Sequence, residues 1–416
     1  MSLIESGIGS ASSSAPFAKS PLTNVLTKCL FGRLAVDTVS EVTTYNIVME
    51  LETDFSGLRI GIPNADSAVQ AGFKCTVTTL AALEPEAYKV NINASGFWEG
   101  VQWNGVSTAP GPAQLGNERW SLVMSDLVPL ASIPRTDIPG ARPLIRILIE
   151  VPAGAKISRP ANSTFNWGNT DSPRSMRASK QAVAAVGNPA LYNNAISNPS
   201  GILIPVVQYV TYKEGSQVLI DGDSTMEGTN SYPNCLGAVQ KACYDLSTPA
   251  KPIEYFNAAL HGQQPGLYSL RINDLVDVVK PQLVAYSPYS INGVSAGGMS
   301  GYQKGEVYKN LTRVVDVLRN SSTKPRLLLM PGLPCNVAFR DTGAGDQQRR
   351  DLNDIELVKY TGIRVAHGYD KVVTGGRTAS GQDLIKEGYT NDDVHMLITG
   401  ITAQAEVVKP FIADLQ

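Results

Sequence analysis

The chain has 416 residues, 43% of them hydrophobic and 17% charged, with a formal net charge of −2. That balance excludes a disordered polyelectrolyte, and it offers no excess of Lys and Arg for a polyanionic partner, so nucleic acid is not an expected ligand. No run reaches the ~20 apolar residues of a membrane-spanning helix, and the length predicts two domains.

Residues 1–31 open with "MSLIESGIGSASSSAPFAKS", which lacks the basic start and continuous apolar core of a secretory signal, and they read as an N-terminal tail. The expectation is a soluble protein without a classical signal peptide, its location unknown, with a cytoplasmic and a virion-associated or non-classically exported site both open. From about 32 to 158 follow short β-prone runs split by Gly, Pro, Asn and Asp: "TTYNIVMELET", "GLRIGI", "FKCTVTTL", "YKVNINASGF", "RWSLVMSDLVPL" and "RPLIRILIEVPAG". Their alternation and spacing predict an all-β domain of sandwich or jelly-roll type over 32–202, in which 159–202, rich in Asn, Ser, Pro and Ala, is a long irregular excursion. All four tryptophans, Trp98, Trp103, Trp120 and Trp167, fall in this half. Packing of a β-sandwich accounts for them. The polar, glycine-rich setting "GFWEGVQWNG" makes Trp98 and Trp103 the candidates for a substrate platform under a sugar ring.

From 203 onward strands alternate with helix-length segments. "SQVLI" leads to "CLGAVQKACYDL", "IEYFNAAL" to "GLYSLRINDLVDVVK", "PQLVAYSPYS" to "YQKGEVYKNLTRVVDVLRNS", "RLLLMPGLP" to "RRDLNDIELVKYTG", and "IRVAHGYDKVV" to "TAQAEVVKPFIADL". Five such repeats predict an α/β domain with a parallel sheet covered by helices on both faces. In such sheets the chemistry lies beyond the carboxyl ends of the strands. The five cysteines, Cys29, Cys75, Cys235, Cys243 and Cys335, have irregular spacings without a CxxC pair and read as buried thiols; a Cys235–Cys243 bridge has nothing in the spacing to support it.

Ser224 sits just past the first of these strands, and three readings are open there: an acyl-transfer nucleophile, a phosphate-cradling turn, or a plain strand-to-helix cap. A phosphate loop would need Gly-x-x-x-x-Gly-Lys-Ser/Thr, and "GDSTMEGTN" has no lysine. A metal site is equally weak, because "TNDDVH" has no second histidine at a ligand spacing. A serine hydroxyl becomes a nucleophile only with a base in reach. Of the three histidines, His261, His367 and His395, the last is the best base, since Asp392 three residues earlier can hold its other ring nitrogen. The Ser224 and Gly262 backbone N–H groups and the Asn292 side-chain amide are candidate oxyanion donors. His261, beside Gly262, is a candidate substrate contact, and His367 reads as incidental.

In order, "GDSTMEG", "NAALHG", "KPQLVAYSPYSING" and "DDVHMLITG" resemble the four motif blocks of the SGNH (GDSL-type) hydrolase superfamily, with Gly400 five residues after His395. The resemblance covers about residues 214–416, and it implies a flavodoxin-like three-layer αβα catalytic domain over 203–416. It also implies Ser224 as nucleophile, Asp392 and His395 completing a triad, and Gly262 and Asn292 completing the oxyanion hole. One block departs from the pattern, with Ser290-Ile291-Asn292-Gly293 where Gly-x-Asn-Asp is usual. By resemblance, the expected activity is a serine esterase working through an acyl-enzyme without cofactor or metal. Its expected substrate is an acylated small molecule or glycan, with an O-acetylated carbohydrate preferred. Alternatives are a lipase, lysophospholipase or thioesterase of the same superfamily, and a glycan-binding virion or surface protein with a secondary hydrolase domain. Homo-oligomerisation is left open.

Overall fold

The computed structural model describes residues 21–30, 35–64, 71–80, 98–112, 119–133, 142–159, 177–192, 196–197, 201–229, 236–263, 268–293, 301–334, 343–353, 363–379 and 381–416. One sixteen-residue strand, Val206–Asp221, organises both halves of the chain. Its last residues pair in parallel with Ile253–Asn257 on one side and Leu283–Tyr286 on the other, and the sheet continues through Arg326–Leu329 to Arg364–Val365. In chain order this is 2-1-3-4-5, the flavodoxin-like arrangement, whose strand order reverses between the first and third strands.

Successive residues of a strand face opposite sides, and the layers follow from that. Val218 and Ile220 pack with Val239 and Ala242 of the helix Ala238–Leu246 and with Ala405 and Val408 of the helix Ile398–Ala413. Leu219 and Val284 instead join Ile272 and Leu275 of the helix Tyr268–Val279 and Leu311 and Val314 of the helix Gly301–Asn320. The result is an α/β domain over about half of the chain, as its sequence period predicts.

The β-rich half does not stand as a separate sheet. Val206–Thr211, the first part of the same long strand, pairs antiparallel with Phe55–Asn64 and with Thr23–Lys28. A second antiparallel sheet runs Ile196–Ser197, Arg177–Gln181, Thr43–Glu50, Leu144–Val151, Lys74–Leu80, Glu99–Gly100. Ile47, Ile60, Ile62, Val77 and Ile147 share one continuous core with Val218 and Ala242. Two polar ties cross the same seam: buried Lys28 bridges Glu52 and Glu254 at 3.3 and 3.2 Å, and Arg119 pairs with Asp274 of the helix Tyr268–Val279.

Two stretches differ from their sequence reading. Thr23–Lys28, read as the end of a tail, is a strand, because the outer edge of Val206–Thr211 offers it a ladder. Arg177–Gln181, read as irregular, pairs with Thr44–Val48. The predicted strand "YKVNINASGF", Trp167, Cys235 and Cys335 lie outside the described residues. Cys29, Cys75 and Cys243 are buried.

Candidate active site

Where the first strand ends, the backbone must turn at once into a helix. Gly222 makes this turn at φ 157°, and a Cβ there would lie 2.5 Å from Met226 Cγ and 3.3 Å from Ser287 Cβ. Asp223 then caps the one-turn helix Ser224–Glu227, its carboxylate accepting from Thr225 N–H at 2.9 Å and Thr225 Oγ1 at 2.7 Å. Ser224 is the first residue of that helix, so its own N–H has no intrahelical acceptor.

Ser224 Oγ lies 2.8 Å from His395 Nε2, and His395 Nδ1 lies 2.6 Å from Asp392 Oδ2. An ionised carboxylate only accepts, so Nδ1 carries the proton and Nε2 is left as the acceptor for the serine hydroxyl. Asp392 also fastens its own loop: Oδ1 accepts from His395 N–H at 2.7 Å and Val394 N–H at 3.1 Å, across Asp393 in a left-handed conformation at φ 61°. Partial burial pushes the Asp392 carboxyl up, but the hydrogen bonds and charge of His395 outweigh it and hold the carboxyl well below the usual range. The side chain of His395 is 13% exposed and that of Asp392 35%, a base sheltered under an open rim.

The second and third strand ends close around this chain of groups. Ala258 N–H donates to Ile220 O and Leu260 N–H to Gly222 O, so the segment leading to Gly262 stays zipped to the turn that carries Ser224. Gly262 adopts φ +78° with open space where a Cβ would be, and its N–H has no partner among the described residues. On either side of it, the His261 ring lies over His395, and Gln263 O accepts from Asn292 Nδ2 at 3.2 Å.

Ser290, where the usual pattern has glycine, is the joint between blocks. Its hydroxyl lies 2.7 Å from Asp223 Oδ2 and 2.9 Å from Gln263 O, and it accepts from Asn292 N–H and Nδ2 at 3.1 Å. No motif pointed to this role, because both partners are remote in sequence. Beneath the turn, Arg271 Nε and Nη2 donate to Asp221 Oδ1 at 3.0 and 2.5 Å, and Nη2 reaches Gly222 O at 3.1 Å. Burial pushes the Asp221 carboxyl up to about 7, against the opposing pull of Arg271 and the Gly222 N–H.

The structure thus brings Ser224, His395 and Asp392 into one hydrogen-bonded chain, with Gly262, Asn292 and His261 around it. It does not do the same for the aromatic candidates. Trp103 is 2% exposed within the main core, and Trp98 is half-buried against Leu148, Ala185 and Tyr192. Both are packing residues of the β-rich half, so Trp103 offers no face to a sugar. The His367 ring meets Tyr369 edge-on at 6.2 Å, away from the proton chain. A serine hydroxyl hydrogen-bonded to an imidazole whose other nitrogen meets a carboxylate can perform acyl transfer.

No protein-family model matches the chain, and no curated protein does. Solved structures do, over about half of it. A GDSL-like lipase from Bacteroides thetaiotaomicron VPI-5482 is 19% identical over 48% of this chain and 89% of its own, with a TM-score of 0.37. Est24, a carbohydrate acetylesterase from Sinorhizobium meliloti, is 14% identical over 48% of this chain and 100% of its own, with a TM-score of 0.35. A two-domain esterase active on acetylated mannans is 20% identical over 49% of this chain and 50% of its own, with a TM-score of 0.36. Over about 48% of its length the chain is similar to solved structures named as a GDSL-like lipase and a carbohydrate acetylesterase.

Proposed function

We propose that the chain is a serine ester hydrolase that works through a covalent acyl-enzyme. The observation that carries this is the Asp392–His395–Ser224 chain at 2.6 and 2.8 Å, in the tautomer that leaves Nε2 free to accept. Ser224 Oγ attacks the ester carbonyl carbon while Nε2 takes its proton. The tetrahedral oxyanion is met by the N–H groups of Ser224 and Gly262. Asn292 joins them when its amide gives up a bond to Gln263 or Ser290. Collapse expels the alkoxide, which takes the proton from His395. Water then attacks the acyl-enzyme by the same route in reverse and releases the acid.

The acyl group is short, with acetyl preferred, and the alcohol is a carbohydrate hydroxyl. Two features support this finer reading. The crevice between Asp223, Thr225, Ile291, Leu333 and Val394 has room for only about one water-sized group, which suits a short acyl group. The residues beside Gly262, His261, Gln263 and Asn292, are polar, which suits a carbohydrate alcohol.

A chromogenic ester series from acetyl to long acyl, hydrolysed by wild type and Ser224→Ala, tests both parts. The expected result is turnover that falls as the acyl chain lengthens and is lost in the variant. Retained activity in Ser224→Ala overturns the mechanism, and a rate that climbs with chain length replaces the deacetylase by the lipase reading.

A further inference from the structure

Two of the three candidate oxyanion donors, Ser224 N–H and the Asn292 amide, belong to the ends of different strands, and one hydroxyl spans the gap between them. Ser290 is 1% exposed, and Asp223, the residue before Ser224, is 2% exposed. Asp223 Oδ1 is spent on the N–H and hydroxyl of Thr225, and Ser290 Oγ lies 2.7 Å from Oδ2. A carboxylate oxygen only accepts, and it is the nearer of two acceptors in reach, so it takes the single hydroxyl proton in preference to Gln263 O at 2.9 Å. The lone pairs of Ser290 Oγ are then left for Asn292 N–H and Nδ2, both at 3.1 Å. Nδ2 carries two hydrogens, and its second acceptor is Gln263 O at 3.2 Å, next in sequence to Gly262. That carbonyl also accepts from the Tyr268 hydroxyl at 2.9 Å. The amide is thus set between the residue before Ser224 and the residue after Gly262, and its two bonds are not equivalent. Loss of the bond to Ser290 would untie it from Asp223, whereas loss of the bond to Gln263 O leaves that carbonyl still paired with Tyr268.

On the ester-hydrolase reading above, we propose that Ser290 is a positioning residue of the oxyanion hole. Its hydroxyl keeps one Nδ2 hydrogen throughout the reaction and so fixes the amide against the cap of the helix that carries Ser224. The amide pivots on that bond, and the other hydrogen turns from Gln263 O to the oxyanion as the tetrahedral intermediate forms. The glycine that is usual at this position has no group for the task.

A double-mutant cycle of Ser290→Ala and Asn292→Ala tests this, with kcat and KM for p-nitrophenyl acetate measured separately. Asn292→Ala is expected to lower kcat roughly 10²–10³-fold, as loss of one oxyanion donor does. Ser290→Ala lowers kcat by about tenfold or more with KM little changed, because the amide strays from its donor position. In the Asn292→Ala background the same replacement costs nothing further in kcat. Ser290→Cys, which keeps the side-chain shape but accepts hydrogen bonds only weakly, follows Ser290→Ala and takes its place if that variant does not fold. An unchanged kcat in the Ser290 variants overturns the proposal. So does a loss of the same size in both backgrounds, since Ser290 would then act through Asp223 or the fold, and so does a loss carried in KM. Comparison with Ser224→Ala separates the two levels. Ser224-dependent turnover that Asn292→Ala leaves intact removes the positioning role alone, whereas turnover that does not depend on Ser224 removes both readings.

Discussion

Asp392 accepts from Val394 N–H, His395 N–H and the His395 ring, and those bonds hold its carboxyl well below the usual carboxylate range. An inflection from this carboxylate within the ordinary carboxylate range of the kcat/KM profile would therefore contradict the assignment. Asp392→Asn keeps much of the loop but favours the wrong imidazole tautomer, and kcat/KM is expected to fall roughly 10³–10⁴-fold. The same carboxyl has a stability signature. Its folded pKa lies below its unfolded one, so its contribution is present above the unfolded value and lost as pH falls through the folded value. In thermal unfolding followed across acidic pH, Asp392→Asn should show a shallower loss of Tm than wild type; the effect is modest because the group is 35% exposed.

At the scale of the element, the turn that carries Ser224 is held by groups that no motif names. Arg271 neutralises Asp221 in a site where both side chains are 0% exposed. Arg271→Met leaves a buried carboxylate without its partner and should cost about 3–5 kcal/mol near neutral pH, read by chemical denaturation. The sign of its pH dependence follows from burial, which already raises Asp221 to about 7; without Arg271 the folded pKa rises further. A raised folded pKa gives stability that is complete below the unfolded value and lost as pH climbs through the folded one. The variant is thus less impaired at pH 5 than at pH 8, and equal impairment at both would contradict the pairing.

What the sequence made legible at this scale depended on how local each signal was. Ser224, Asp392 and His395 could be read because the family blocks are short and each sits at a strand end or before the last helix. Ser290 could not, because Asp223 and Gln263 reach it only after the sheet has formed, 67 and 27 residues away in sequence. Arg177–Gln181 escaped for a related reason. "RASKQ" has a single apolar residue, and the ladder to Thr44–Val48 makes it a strand where its own β-propensity does not. Trp103 is a packing residue, as the β-sandwich reading of the tryptophans expected; its polar neighbours in sequence did not prevent the ring from being buried in the core.

For the whole molecule, the alternation of strand and helix was enough to predict the α/β half, but the joining of the two halves was not visible in any local pattern. Val206–Asp221 belongs to both, and Lys28 crosses the seam to Glu52 and Glu254 at 1%, 0% and 0% exposure. Lys28→Met leaves two buried carboxylates facing one another and should destabilise by about 3–5 kcal/mol, with both halves lost in one transition. Residues 203–416 expressed alone would expose the edges of Val206–Thr211 and the apolar faces of Val207 and Tyr209, and the fragment is expected to aggregate or melt without cooperativity. Separate calorimetric transitions in the full chain would speak against this coupling.

Because one strand serves both sheets, Ser224 stands three residues beyond a segment whose position is fixed by Val206–Val210 lying against Gly57–Gly61. The antiparallel sheet is in effect a ruler laid against Ser224. A one-residue slip in that register would carry the serine along the strand axis by about 3.3 Å and turn every side chain of the strand to the opposite face. A misplacement of about 1 Å can already lower an enzyme's rate a hundredfold. The β-rich half, none of whose described residues joins the Asp392–His395–Ser224 chain, thus sets where along the strand axis Ser224 stands.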